Sequence, residues 1–329
     1  MTRMRVVEFG DAVRREVGRA VVGQSVAIDM AMVALLANGH VLLEGLPGLA
    51  KTLMVRSLAQ ALDLQFGRVQ FTPDLMPSDV TGSSVFDQRT TEFRFRPGPL
   101  FCGILLADEI NRTTPKTQSA LLQAMEERQV TVDGQTYDLP DPFLVFATQN
   151  PIDFEGTYPL PEAQQDRFLL KVNLTYPEAE DEKEVLRRHH RYSFPNGADE
   201  SQGFRATELE KVGIQPVTTA QGLGELRRQV DSVGVEDKIF DYIYSLVSAT
   251  RSSRQILVGG SPRASLALLS TAKAVAALRG RDFVIPDDVK AMAMPVFRHR
   301  VILRPEAEVE GIGVDSVLSS VIDAQTVPR

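Results

Sequence analysis

The sequence predicts a mixed α/β fold, a mostly parallel sheet followed by a smaller all-α domain. Three features of the 329-residue chain predict it. Short, wholly apolar strands alternate with helical segments from residue 20 to about 190, the pattern of a parallel sheet covered on both faces. Two other segments alternate apolar and polar residues about turns, as β-hairpins inserted into that unit would. Beyond Tyr192 only helical signals remain.

Gln24–Asn38 carries apolar residues at helical spacing, and Gly39 is placed to stop it. Val41-Leu42-Leu43 is a short apolar strand, and Lys51–Leu62 is the next helix. Gly103–Ala107 and Phe143–Ala147 are further apolar strands. The hairpin segments are Ser83–Arg96 and Val130–Leu139, the second turning at Asp133-Gly134. Ser193–Gly203 is rich in turn formers and reads as a linker. Helices are expected after it at Glu208–Val212, Thr219–Val230, Glu236–Thr250, Pro262–Leu278 and Pro286–Ala293. Ser261-Pro262 supplies a cap and a first-turn proline. The expected division is 1–195 and 196–329, and the chain length suits two domains.

A hydrophobic fraction of 43% and a charged fraction of 24% exclude wholesale disorder. A net charge of −7 argues against non-specific binding of nucleic acid or of an anionic membrane. One cysteine, Cys102, excludes a disulfide framework and an all-cysteine metal site, and its apolar neighbours read as core. The first fifteen residues lack a signal-type apolar core, and no terminal lipidation box is present. The longest apolar run, Met30 to Ala37, is far short of the roughly 20 residues that span a bilayer. The expectation is a soluble cytoplasmic protein without membrane insertion.

The chemistry concentrates after the apolar strands. Gly45-Leu-Pro-Gly-Leu-Ala-Lys51-Thr52 follows the Val41–Leu43 strand and opens a helix, the context a phosphate-binding loop needs. Glycines let backbone N–H groups wrap phosphates, and the helix N-terminus adds partial positive charge. Lys51 would reach the β- and γ-phosphates, and Thr52 would ligate Mg²⁺. Ala50 stands where the usual pattern has its second glycine, and its methyl is tolerable if φ is negative. The plain alternative is a Gly/Pro-rich strand-to-helix turn. Ile104–Ala107 then runs into Asp108-Glu109. Asp108 would hold Mg²⁺ through water, and Glu109 would orient and deprotonate the attacking water. Either element alone is common; together, in this order, they point to NTP hydrolysis. The Phe143–Ala147 strand ends in Thr148-Gln149-Asn150-Pro151, which puts Asn150 at the ligand-facing carboxyl end of a parallel strand. Without the first two elements, a turn asparagine would be the better reading.

On these residues the sequence resembles the AAA+ ATPases, and within them the MoxR family, from about Val22 to Arg300. GLPGLAKT at 45–52, DEINR at 108–112, LLQAMEERQVTVDG at 121–134, FATQNP at 146–151, GTYPLPEAQQDRF at 156–168 and GGSPRASLALL at 259–269 carry the likeness. Ala50 looks like a family trait. The resemblance implies an αβα core with a parallel sheet and inserted hairpins, then a small all-α lid. FRFRPGPLF at 93–101 ends what resembles the helix-2 insert of the clade that includes MoxR, magnesium chelatase and MCM proteins. The second hairpin resembles the one preceding sensor 1, and Asn150 matches sensor 1 itself. Arg167 matches the arginine finger, which acts on a neighbouring subunit's ATP. Arg263 matches sensor 2, contacting nucleotide from the lid. Val22-Gly23-Gln24 matches the segment flanking adenine. Gly45, Pro47, Gly48, Leu49, Ala50, Lys51, Thr52 and Leu53 fall in the nucleotide loop.

Physical chemistry is consistent with these roles. A guanidinium is a suitable clamp for charge spread over three phosphoryl oxygens. The plain alternative for Arg167 is a salt bridge to Glu162 or Asp166. Arg263 sits in a helix's first turn, where the dipole disfavours a cation and an anion partner would relieve it. Arg112 is a candidate phosphate or neighbour contact. Phe93-Arg94-Phe95-Arg96 reads as phenylalanines packed on one hairpin face and solvated arginines on the other, with the tip free to grip a protein. His189-His190 closes the helix Glu178–Arg191, and Glu180–Glu184 reads as its solvated face.

The resemblance implies an Mg²⁺·ATP hydrolase in a homo-oligomer, a hexameric ring, acting on a protein client in chaperone-like remodelling, maturation or metal insertion. A partner with a von Willebrand factor A domain is implied with it. Three rivals stay open: a motor subunit of a magnesium-chelatase-like complex, an MCM-like nucleic-acid motor, and a module that holds ATP but barely turns over. The −7 charge weighs against the second, and intact Glu109 and Arg167 against the third.

Overall fold

The computed structural model describes residues 4–150, 157–193 and 212–328. Most of the expected linker at Ser193–Gly203, residues 208–211 of the helix expected at Glu208–Val212, and Pro151 lie outside the described residues.

Five parallel strands form the central sheet: β1 (Val41–Glu44), β2 (Phe66–Gln70), β5 (Ile104–Asp108), β8 (Leu144–Gln149) and β9 (Leu170–Asn173), in the order β2-β5-β8-β1-β9. Alternation along the buried strands sorts side chains to two faces. Val41, Leu43, Ile104, Leu106, Leu144 and Phe146 pack toward helices α1 (Val6–Gly18), α2 (Ser25–Leu36) and α3 (Lys51–Ala61). Leu42, Leu105, Ala107, Val145 and Ala147 pack toward α5 (Pro115–Glu127). Both faces are apolar, so β1, β5 and β8 read as unbroken hydrophobic runs. Burying one such side chain contributes about 1.5–3 kcal/mol. Parallel pairing sets Leu43 beside Thr148 and Ala107 beside Ala147, so the loops after β1, β5 and β8 leave from one edge of the sheet.

Two hairpins stand off this sheet. The first joins β3 (Gly82–Asp87) to β4 (Glu92–Pro97), and the second joins β6 (Gln129–Val132) to β7 (Gln135–Asp138). Asp133 and Gly134 both have positive φ, 51° and 80°, as a two-residue hairpin turn of matching twist requires. The phenylalanines of the first hairpin divide. Phe95 stacks on Tyr137 of the second hairpin at 3.9 Å, which braces one hairpin against the other. Phe93 touches Phe86 at 5.3 Å yet stays 74% exposed at the tip, so it does not join the packed face expected of it.

The C-terminal helices include α8 (Ala220–Asp231), α9 (Asp237–Ser252), α10 (Pro262–Leu278) and α11 (Pro286–Phe297). Their apolar faces join the cluster that holds α1–α3. Helix α11 runs four residues past its expected end, through Pro295. Cys102 is buried, and burial pushes its thiol up to about 12, which makes it inert core. Among the described residues no helix is long and apolar enough to cross a membrane, and no group of three or more His, Cys, Asp or Glu side chains could hold a metal ion.

Candidate active site

The loop after β1 turns on two residues in the left-handed region, Gly48 (φ 85°) and Ala50 (φ 56°). The condition for an unstrained methyl at Ala50, a negative φ, is therefore not met. Its methyl costs about 1–2 kcal/mol of backbone strain there, and the turn starts α3 at Lys51. Gly45 is fixed by close approach: a Cβ there would meet Leu174 Cβ at 2.9 Å. Lys51 Nζ donates to the Gly45 carbonyl at 2.7 Å, across the loop's mouth. Burial lowers the Lys51 pKa, and the charges of Asp108 and Glu109 oppose that shift. A lysine opening a helix meets an unfavourable dipole, so loop and lysine together suit an anion.

The two carboxylates at the end of β5 are tied to their neighbours. Thr148 Oγ1 donates to Asp108 Oδ1 at 2.7 Å and accepts from the Glu109 backbone N–H at 2.8 Å. Arg68 Nη2 donates to Asp108 Oδ2 at 2.7 Å, and Gln70 Nε2 donates to Glu109 Oε2 at 2.8 Å. Arg112 Nε lies 3.2 Å from the same Glu109 oxygen, which gives that candidate a partner in the acidic pair. Glu109 itself has φ 56°, so its backbone leaves the strand sharply and aims the carboxylate over the sheet edge. Arg68, Gln70 and Thr148 carry no signal of their own in the sequence. They become visible only when β2 and β8 are laid beside β5, where Gln70 pairs with Asp108. Thr148→Val is expected to lower the folding stability by about 1–3 kcal/mol, because it strands one buried donor-acceptor pair. Thermal unfolding checks it, and an unchanged midpoint would mean that the hydroxyl bridge is incidental.

Pro47, Gly48, Leu49, Ala50, Lys51 and Thr52 line one cleft of about 490 Å³ with Asp108, Glu109 and Asn150. A smaller hollow of about 140 Å³ adjoins it through Ala50 and Leu53 and is walled by Val22, Val185 and His189. Gly23 (φ 74°) makes the turn behind Val22, where a Cβ would meet Pro177 Cβ at 2.7 Å. Gln24 Nε2 fixes that turn by donating to the Thr175 carbonyl at 3.2 Å. The donor set suits a nucleoside triphosphate with a hard divalent cation: amides and an ammonium for phosphates, and hydroxyl and carboxylate oxygens for the metal.

Arg167 and Arg263 are not in this cleft. Arg167 Nη2 lies 3.1 Å from Glu126 Oε2, and Arg263 Nη2 donates to Glu126 Oε1 at 2.9 Å. The carboxylate that receives Arg167 is thus neither Glu162 nor Asp166. Both arginines line a different cleft, of about 730 Å³, between the end of α5 and helices α8 and α10. That cleft shares no lining residue with the loop's cleft. Arg263, expected to contact nucleotide, does not lie beside this chain's own loop. The guanidinium lies instead with Arg167, and α10 carries it there.

Residues 40–170 match the family model described as the ATPase family associated with various cellular activities (AAA), and residues 248–321 match the AAA lid domain. The Bacillus subtilis protein YeaC is 47% identical over 97% of this chain and 95% of its own. Chaperone MoxR1 of Mycobacterium tuberculosis is 41% identical over 95% of this chain and 81% of its own. A crystal structure of a Cytophaga hutchinsonii protein superposes with a TM-score of 0.86 at 40% identity, covering 98% of this chain and 97% of that one.

Proposed function

The chain belongs to the MoxR family of AAA+ ATPases, and on that premise we propose that it couples hydrolysis of Mg²⁺·ATP to chaperone-like remodelling or maturation of a protein client. One observation carries the catalytic half of this reading. The loop, both carboxylates and Asn150 line a single cleft at the carboxyl edge of the sheet. In this reading residues 1–195 are the ATPase core and 196–329 the lid.

Lys51 exchanges the Gly45 carbonyl for the β- and γ-phosphates, and the loop amides wrap them. The adjoining hollow at Val22 takes the adenine. Thr52 and, through water, Asp108 would hold Mg²⁺, which neutralises charge on the phosphates when bound. Glu109 takes a proton from the attacking water, and Asn150 holds that water or the γ-phosphate in line. Arg167 and Arg263, paired on Glu126, face outward from a separate cleft and serve the ATP of an adjacent copy. The active unit is then a closed homo-oligomer, a ring of six in this reading, because each site lacks its clamp until a neighbour arrives. The exposed Phe86–Phe93 tip is the part offered to a protein client, and a von Willebrand factor A-domain protein is the proposed partner.

Phosphate release from Mg²⁺·ATP by the purified chain tests this. Lys51→Ala is expected to lose binding of a fluorescent ATP analogue and all turnover. Full binding in that variant would show that the loop is not the nucleotide site.

A further inference from the structure

Arg300, three residues beyond α11, is an arginine with a side chain only 2% exposed. Nε donates to Asp166 Oδ1 at 2.6 Å. Nη1 donates to the carbonyls of Val296 (2.6 Å) and Leu169 (3.1 Å), and Nη2 to those of Phe168 (2.6 Å) and Asp166 (3.4 Å). All five N–H groups are thus committed, four of them to residues 166–169 around Arg167. His299 adds a ring nitrogen at 2.9 Å from the Phe168 carbonyl. The other Asp166 oxygen accepts from Ser261 Oγ at 3.3 Å. Ser261 caps α10 by accepting from the Arg263 N–H at 3.2 Å. One carboxylate therefore ties the segment of Arg167 to the helix start that carries Arg263. Glu126 joins the two guanidinium heads.

A buried ion pair is a poor source of net stability, because desolvation offsets most of its attraction. What a fully donated guanidinium fork adds is direction. We propose that Arg300 is a positioning residue for hydrolysis. Through Asp166 and Ser261 it holds Arg167 and Arg263 as one unit, presented to the nucleotide of an adjacent copy. This rests on the reading that Arg167 acts on a neighbour. It adds a coupling: movement of α10 or α11 moves both arginines together, so the C-terminal helices control the site of the adjacent copy.

The test uses Arg300→Lys, which keeps the charge but cannot form the fork, in the full chain. Turnover is expected to fall about 10- to 100-fold, the cost of misplacing a catalytic group, with KM within about twofold. Assemblies are then made by mixing Arg300→Lys subunits with Lys51→Ala subunits, which are inactive themselves but carry intact arginines. Activity should return, because an intact neighbour supplies the clamp to a site whose own loop is unaltered. Mixtures of Arg167→Ala with Lys51→Ala are the reference. If the reference regains activity and the Arg300→Lys mixture does not, Arg300 acts on its own site or on the fold, and the proposal is wrong. If neither regains activity, the reading of Arg167 in trans fails, and this proposal with it. Wild-type turnover in Arg300→Lys also overturns it. Should Arg300→Lys fail to fold, Ser261→Ala leaves the Arg300 fork intact and removes the Asp166–Ser261 bond together with the cap on the Arg263 N–H. It should lose turnover several-fold without loss of ATP binding and be rescued in the same mixture; unchanged turnover overturns the proposal.

Discussion

Glu109→Gln is expected to bind ATP normally and to turn it over about 10²–10⁴-fold more slowly, the usual contribution of a positioned general base. The substitution is nearly isosteric. The backbone N–H stays on Thr148, and the amide oxygen can still accept from Gln70. The ability to take a proton from water is lost, together with the negative charge that faces Arg112 and Lys51. Lys51, the loop amides, Thr52 and Asp108 are untouched, so affinity should be retained and bound ATP should accumulate. Single-turnover phosphate release, with dissociation of a fluorescent analogue, separates the two effects. Turnover within twofold of wild type would remove Glu109 from the mechanism. Loss of binding instead would make its contacts with Gln70 and Arg112 a structural strut of the cleft.

Arg167→Ala is expected to be larger still, with turnover falling about 10³–10⁵-fold, the range for an arginine clamp supplied to phosphoryl transfer. Affinity measured on the dispersed chain should not change, because Arg167 lines a cleft that shares no residue with the loop's cleft. The separation between an unaltered binding constant and a collapsed rate is the signature of a group delivered from elsewhere. Nucleotide titration alongside steady-state turnover reads both. A variant turning over at the wild-type rate would leave the Arg167–Glu126 pair as a surface ion pair, worth about 0–1 kcal/mol and nothing in catalysis.

The sheet was legible where strands are buried on both faces. β1, β5 and β8 are unbroken apolar runs, and the groups they end in could be read directly. β2 and β9 are not legible, because FGRVQ and LKVN are short and mix polar with apolar residues. Missing β2 also hid Arg68 and Gln70, whose contact with the acidic pair depends on strand register. The turn at Asp133-Gly134 was legible because its φ angles leave few residue choices. The backbone at Ala50 was not legible for the opposite reason: an alanine gives no sign of a positive φ that the surrounding loop imposes. Arg167 and Arg263 were visible as residue types, but their partner was not. Glu126 lies far from Arg263 in sequence, and only the fold, which sets the start of α10 across a cleft from the end of α5, brings them together. Arg300 gave no signal, since an arginine near a helix end is ordinarily solvated.

If a neighbour supplies Arg167, catalysis needs two copies of the chain. The direct measurement is ATPase rate per subunit against protein concentration at saturating Mg²⁺·ATP, with a sizing run at each concentration. A steep rise to a plateau is expected, with the rate following the assembled fraction. A flat, measurable rate from a chain that sizing shows to be monomeric would contradict it, and Arg167 and Arg263 would then have to reach their own loop by a rearrangement of α10.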